Sequence, residues 1–421
     1  LKLEENAITL HRILKGKIEI HSKITSGLDE AFQGNGVSGA EGNKGDNSSK
    51  TLELIYTPGV AYVAEKIRDN KQLVYDYTSK WNNVAIVCDG TRVLGLGNIG
   101  PEGALPIIEG KSVLFKLLGG INAFPLCINS TDKEEIITFI KTAEPTFGAI
   151  NVEDIESPKV LEIVERLQEA LSIPVFHDDQ HGTSIITLAA LFNALKLVNK
   201  ENEINTLKIV IAGAGSAGYG IFKILTEVGC SNIIVTDSKG PIYPQRFDFT
   251  TLSKYKLEMA NRTKEKHLKG ESVADVIQGA DVFIGVSGKA NLIEERMIKS
   301  MNKNPIVFAL SNPHPEILPP AALRGGAEIV ATGRSDFANQ INNAAVFPSV
   351  LRALLDLRVC TLTEDLMIAV ARSISELVDR EHLSREYILP AIDDPRILPV
   401  VSNTIKGSME KLIHAAAAKQ N

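Results

Sequence analysis

From Thr51 onward, short apolar runs alternate with longer stretches in which apolar residues recur every three or four positions. Runs of four to eight apolar residues bounded by turn formers read as buried strands, and the three-to-four spacing reads as amphipathic helix. The first half therefore carries expected strands at 84–90 (VAIVCDG), 123–129 (AFPLCIN), 147–154 (FGAINVED) and 173–179 (IPVFHDD). Expected helices cover 62–77, 105–119, 132–142, 157–171 and, at greater length, 183–197. A charged link, 199–205, leads to a second alternating unit with strands at 207–215, 232–237, 281–288, 305–313 and 327–333. The tail from Val346 is helical, including 363–381. Strands alternating with helices argue for mostly parallel sheets, so the expected class is α/β. Three segments follow: 1–182 with a parallel-rich sheet, 183–345 doubly wound, and 346–421 as a helical tail packing back on the first.

Two stretches stand outside this pattern. Residues 1–32 are charged and partly helical, and 34–50 (GNGVSGAEGNKGDNSSK) should be a mobile loop, being too polar to pack. The chain has 421 residues and 44% hydrophobic content, enough for sizeable cores. A net charge of -6 gives no electrostatic reason to expect nucleic acid or an anionic membrane surface. No apolar run is long and uncharged enough to span a bilayer. The four cysteines (Cys88, Cys127, Cys230, Cys360) are scattered without a CxxC pair, which reads as reduced thiols and a cytoplasmic setting. The opening residues LKLEENAITL hold no signal-peptide core, and no starting Met.

IVIAGAGSAGYGIFKIL places Gly213, Gly215 and Gly218 between an apolar strand and a helix. The first glycine permits a tight turn, the second lets backbone approach a pyrophosphate, and the third lets helix pack on strand. The helix amino terminus then offers free N–H groups and the positive end of its dipole. Asp237 ends the next strand, where a carboxylate can bind the adenosine ribose hydroxyls. This is the pattern of a Rossmann-like NAD(P)-binding domain. Asp237 favours NAD by repelling a 2′-phosphate, and Lys239 offsets that, so NAD and NADP both stay open.

Two acidic pairs, Glu153-Asp154 and Asp178-Asp179, fall at strand carboxyl ends, where open α/β sheets present ligands. Three such carboxylates would bind a hard ion, Mg2+ or Mn2+, through oxygen. Taken alone, an acidic pair there is more often a solvated turn or a helix cap. His177 and His181 stand four apart, but Asp178 occupies the position where a zinc HExxH motif requires Glu.

The chain carries, in order, YTPGVA (56–61), DGTRVLGLGNIGPEGALPIIEGK (89–111), NVEDI (151–155), FHDDQHGT (176–183), GAGSAG (213–218), FALSNPHPE (308–316) and ATGRSDF followed by NQ and NN (331–343). In this series it resembles short-form malic enzymes over about residues 10–400. The resemblance implies oxidation of malate by NAD or NADP, with a divalent metal, and release of CO2 to leave pyruvate. It makes Tyr56 the general acid, Lys111 the general base, and Glu153, Asp154 and Asp179 the metal ligands, with Asp178 orienting Lys111. It gives Gly213, Gly215, Ser216, Ala217, Gly218, Asp237 and Asn312 to the cofactor. Arg92, Lys111 and Asn342 or Asn343 fall to the substrate, and a homodimer is implied. The stretch 34–50 departs from the usual short form as an insertion before YTPGVA. The competing readings are a malolactic-type enzyme that releases lactate, and an amino-acid dehydrogenase whose cleft also uses a lysine.

Overall fold

Apolar runs of five or six residues set the sheets of this computed structural model, which describes residues 56–93, 95–263 and 272–418. The charged opening and the Gly-rich stretch 34–50 lie outside the described residues. The chain divides into two compact units, 1–83 and 84–421.

In the first unit, α1 (Gly59–Asp69) is followed by a 3-10 turn (Lys71–Leu73) and a short helix (Val74–Tyr77). The single helix expected over 62–77 is thus broken. Asn70 is extended (φ -140°, ψ 97°) and its side chain accepts the Gln72 N–H. A short amide side chain competes with the helix for backbone donors in this way.

The second unit holds both sheets. Four strands, β1 (Asn83–Cys88), β2 (Asn122–Cys127), β3 (Ala149–Glu153) and β4 (Val175–His177), stand in the order β2-β1-β3-β4. β1, β3 and β4 run parallel, with Cys88 beside Glu153 and Val152 beside His177. Between the strands lie α2 (Gly100–Gly119), α3 (Lys133–Ala143) and α4 (Lys159–Ala170). Pro106 sits inside α2, which starts five residues earlier than its periodicity suggests. A π-turn (Asp178–Gly182) then feeds α5 (Thr183–Leu197), apolar all round and buried on nearly every side, as a core helix should be.

Six strands build the other sheet: β5 (Lys208–Ala212), β6 (Asn232–Asp237), β7 (Gly240–Pro241), β8 (Val282–Gly285), β9 (Ile306–Ala309) and β10 (Ile329–Thr332). Their order is β10-β9-β8-β5-β6-β7, parallel except for the two-residue edge strand β7. Along β5, Ile209 and Ile211 face one core while Val210 and Ala212 face another. Both faces are covered, as an all-but-parallel sheet requires. α6 (Ser216–Glu227) and α7 (Lys254–Arg262) flank it.

The tail forms α8 (Phe347–Leu357), α9 (Glu364–Ser375) and α10 (Ile397–Ala418). α9 packs on α5 and α8 packs on α2, where the Phe115 and Phe347 rings lie 4.7 Å apart. Buried Asn193 of α5 donates to the carbonyls of Ser375 and Ile388. The protein is therefore α/β, with a parallel-rich sheet, a Rossmann-like sheet and a helical carboxyl-terminal segment. Among the described residues no helix is long and apolar enough to cross a membrane.

Candidate active site

The carboxyl ends of β3 and β4 deliver Glu153-Asp154 and, one residue beyond His177, Asp178-Asp179. α2 crosses over them and lowers Lys111 into the gap. Its Nζ lies 2.5 Å from Glu153 Oε2 and 2.7 Å from Asp178 Oδ2. Both carboxylates are buried, and Glu153 Oε1 accepts the Asn151 side-chain amide at 2.8 Å. The π-turn separates the second acidic pair, because Asp178 faces Lys111 while Asp179 lines the adjoining cleft beside Asp154. The turn holds His177 and His181 buried, with His181 Nδ1 accepting the His177 backbone N–H at 3.1 Å. Burial pushes both imidazoles down, His181 to about 3, so they are neutral.

Burial pulls the Lys111 ammonium down, but Asp178, Glu153, Asp154 and Asp179 together outweigh it and hold its pKa well above the ordinary lysine value. The four carboxylates thus favour its charged form. The same dry surroundings push Glu153 and Asp178 up, and Asp154 to about 7, with Lys111 opposing.

Four carboxylates face one ammonium, an excess of three negative charges when all are ionised. Asp154 Oδ2 is buried without a hydrogen-bond partner. Oxygen donors, surplus negative charge and an orphaned carboxylate oxygen suit a hard divalent cation. Among the described residues no three such groups stand close enough together to grip an ion as the side chains lie, and Glu153 is engaged by Lys111 and Asn151.

A second groove begins where β5 turns into α6. Gly213 adopts φ +118°, and a Cβ there would meet the Val286 carbonyl oxygen at 2.5 Å. A Cβ on Gly218 would lie 1.8 Å from the Gly213 carbonyl oxygen, whereas one on Gly215 would meet nothing within 4 Å. Gly213, Gly215 and Asp237 line a cavity of about 810 Å3. A second cavity of about 710 Å3 is lined by Gly215, Ser216, Ala217, Lys111, Asp154 and Asp179. Arg92, Ser157, Gly215 and Val286 line both. One trough thus runs from the Gly-rich turn to the lysine.

Asn312, Asn342 and Asn343 line the second cavity. The Asn312 side chain reaches the Gly333 carbonyl at 3.4 Å, Asn342 Oδ1 accepts the Ala344 N–H, and Asn343 faces Asp178. Arg92 is exposed, and its backbone N–H donates to the Asp154 carbonyl at 3.1 Å. Tyr56 belongs to the other unit. It is 71% exposed and its carbonyl accepts the Val60 N–H at 2.8 Å, opening α1.

Asp237 differs from expectation. Its carboxylate is already occupied, by Arg246 at 2.7 and 3.0 Å, by Lys256 at 2.6 Å and by the Lys239 N–H at 2.9 Å. Lys239, expected to offset Asp237, instead pairs with Asp248. Burial would raise the Asp237 carboxyl, but Arg246 and Lys256 hold it down to about 2. A folded pKa below the unfolded value adds stability above about pH 4 that disappears as pH falls through about 2. Asp237→Asn should therefore lower the thermal midpoint at pH 7 and flatten its decline between pH 4 and 2, which acid melting curves would read.

The sequence also left Arg246, Lys256 and Glu316 unassigned. Arg246 and Lys256 stand nine and nineteen residues past Asp237 with no local spacing to betray them. Glu316, fully buried, accepts from the N–H and hydroxyl of Ser287 and from the Ser311 hydroxyl, pinning the loops after β8 and β9. Its place in FALSNPHPE was the available signal.

Comparison with known proteins agrees with this arrangement. The family model for the malic enzyme N-terminal domain matches residues 43–168, and that for the malic enzyme NAD-binding domain matches 180–405. A bifunctional malic/malolactic enzyme of Bacillus subtilis is 45% identical over 97% of this chain and 94% of its own. An NAD-dependent malic enzyme of Geobacillus stearothermophilus is 46% identical over 84% of this chain and 72% of its own. The crystal structure of the NAD-dependent malic enzyme of Thermotoga maritima superposes with a TM-score of 0.84 at 41% identity, covering 95% of this chain and 99% of that one. With a nucleotide turn leading to a carboxylate-clasped lysine, and both family models matched in order, this chain belongs to the malic enzyme family.

Proposed function

We propose that this protein oxidises malate with NAD or NADP and decarboxylates the product to pyruvate and CO2. The observation carrying this reading is Lys111, held by Glu153 and Asp178 at one end of a trough whose other end is the Gly-rich turn. A nucleotide held at the Gly-rich turn would supply the hydride acceptor to a substrate that Lys111 can reach from the adjoining cavity. Glu153, Asp154 and Asp179 would hold a divalent cation, which would supply Lewis-acid chemistry to the bound hydroxyacid.

The chain's own residues do the rest. Lys111 takes the hydroxyl proton once the surrounding negative charge is offset, because burial, the largest influence on it, then draws the ammonium towards neutrality. Asp178 keeps Nζ aimed at the cleft. Arg92 and Asn342 or Asn343 bind the substrate carboxylates, and Asn312 touches the cofactor. Tyr56 is assigned the final proton donation to C3 of enolpyruvate from its place in YTPGVA. Tyr56→Phe should slow pyruvate formation by on the order of 10²-fold, the usual worth of a general acid. Unchanged rates of both malate turnover and oxaloacetate decarboxylation would remove Tyr56 from the mechanism.

The decisive assay is malate with NAD and with NADP, each with and without Mn2+ after EDTA treatment, following reduced cofactor and pyruvate together. Activity should vanish with EDTA and return with Mn2+. Full activity in the stripped protein would overturn the metal's part. Lactate formed without net reduced cofactor would favour the malolactic reading. An amino-acid dehydrogenase would have no use for four carboxylates around its lysine. The charge near Asp237 suits either nucleotide: Arg246, Lys239 and Lys256 against Asp237 and Asp248 leaves one net positive charge. The homodimer, the cytoplasmic setting and the division after residue 182 are proposed from the resemblance and the sequence pattern. Light scattering of the purified protein tests the first.

A further inference from the structure

Two of the four cysteines stand side by side at the edge of the catalytic sheet. Cys88 ends β1 and Cys127 ends β2, its neighbour in strand order. The crossover through α2 makes the two strands parallel. In such a ladder the bond from the Ile128 N–H to the Cys88 carbonyl, 2.8 Å, sets Cys127 beside Cys88 with both side chains on one face. Each thiol perturbs the other's ionisation, Cys127 pushing Cys88 up and Cys88 drawing Cys127 down. Cys88 is fully buried, Cys127 is half-buried on the edge strand, and neither is in a disulfide.

Adjacent strands lie about 4.8 Å apart. That is within the range of about 4.4–6.8 Å between Cα atoms that a disulfide spans. We propose that Cys88 and Cys127 are a redox-sensitive dithiol, which a small-molecule disulfide closes into an intrachain Cys88–Cys127 bond that lowers activity.

The exchange balances without another reactant. The Cys127 sulfur attacks a disulfide RSSR, forming a mixed disulfide and releasing one RS⁻. The Cys88 sulfur then attacks the Cys127 sulfur, loses its proton and releases the second thiol. The cysteine pair gives up two electrons and two protons, and RSSR becomes two RSH.

The effect on activity follows from the row the pair occupies. Cys88 is the lateral partner of Glu153, so Cys127, Cys88 and Glu153 lie across the sheet on the face that α2 covers. Glu153 holds Lys111. Joining Cys88 to Cys127 draws β1 towards β2 and away from β3, and it moves the Glu153 carboxylate relative to Lys111. Displacements well under an ångström matter to such a site, because misplacement by about 1 Å can cost on the order of 100-fold in rate.

The other two cysteines provide the controls. Cys230 is buried, and Cys360 is exposed with its thiol on the Ser172 carbonyl.

The test uses the full chain, reduced, desalted and exposed to oxidised glutathione. Remaining thiols are then blocked, and the peptides are mapped without reduction. A peptide pair linked through Cys88 and Cys127 is expected. It should accompany a fall in kcat for malate of on the order of tenfold, reversed by dithiothreitol. Cys127→Ser should resist the fall, and Cys360→Ser should show it undiminished. Glutathione left on Cys127 with no linked peptide overturns the dithiol. A linked peptide with unchanged kcat overturns its coupling to Glu153. The inactivation arm rests on the proposed malate reaction, whereas the peptide map does not, so failure of one reading is distinguishable from failure of the other.

Discussion

Lys111→Ala is expected to abolish malate oxidation, lowering kcat by about 10⁴-fold, the upper range for a general base. Among the described residues Lys111 is the only cation paired with Glu153 and Asp178, so its removal also strands two buried carboxylates. Breaking a buried ion pair by deleting one partner costs about 3–5 kcal/mol. Here part of that cost is avoidable, because burial already raises both carboxyls and they can take up protons instead. The stability loss should therefore be larger at pH 8 than at pH 6, which paired denaturation curves would show. Lys111→Arg keeps the charge but cannot give up its proton near neutral pH. It should recover stability without recovering turnover. If Lys111→Ala oxidised malate at even a tenth of the normal rate, about 1.4 kcal/mol of barrier, another group would have to be the base.

Gly218→Ala should cripple nucleotide binding through the fold, and Gly215→Ala should do so without it. At Gly218 the new Cβ would lie 1.8 Å from a backbone oxygen, so α6 must move off β5. Overpacking of this kind costs about 1–3 kcal/mol. The displaced turn should also raise KM for the nucleotide by on the order of 100-fold. At Gly215 no described residue beyond its immediate chain neighbours and the start of its own helix comes within 4 Å of the Cβ position, so the melting temperature should hold. The approach of a pyrophosphate would give that glycine a purpose. A raised KM with unchanged melting at Gly215 would mark the turn as a phosphate site, and an unchanged KM there would place the phosphates elsewhere.

The strand of the Gly-rich turn and the strand ending at Asp237 were legible because buried parallel strands are unbroken apolar runs with turn formers at their ends. β6 begins and ends at the residues its pattern marked, Asn232 and Asp237. Edge strand β7 and helix α7 went unread: one is two residues long, and the other lies in a stretch too polar to show a clear stripe. The break at Asn70 was hidden for a different reason, since the apolar spacing continues through it.

The sequence by itself determined the fold class, the Gly-rich turn between strand and helix, and the motif series that marks the family, since these depend on local spacing and side-chain chemistry. Tertiary structure alone decided what those residues do to one another. It set Lys111 against Glu153 and Asp178, 42 and 67 residues away along the chain. It turned Asp178 and Asp179 apart through a π-turn, and it filled the Asp237 carboxylate with Arg246 and Lys256. Whether a lysine is charged, and whether a carboxylate is free to meet a ligand, depends on distances of a few ångströms between groups far apart in sequence. Electrostatic energy in a dry cleft changes by kilocalories over such distances, and no pattern along the chain records them.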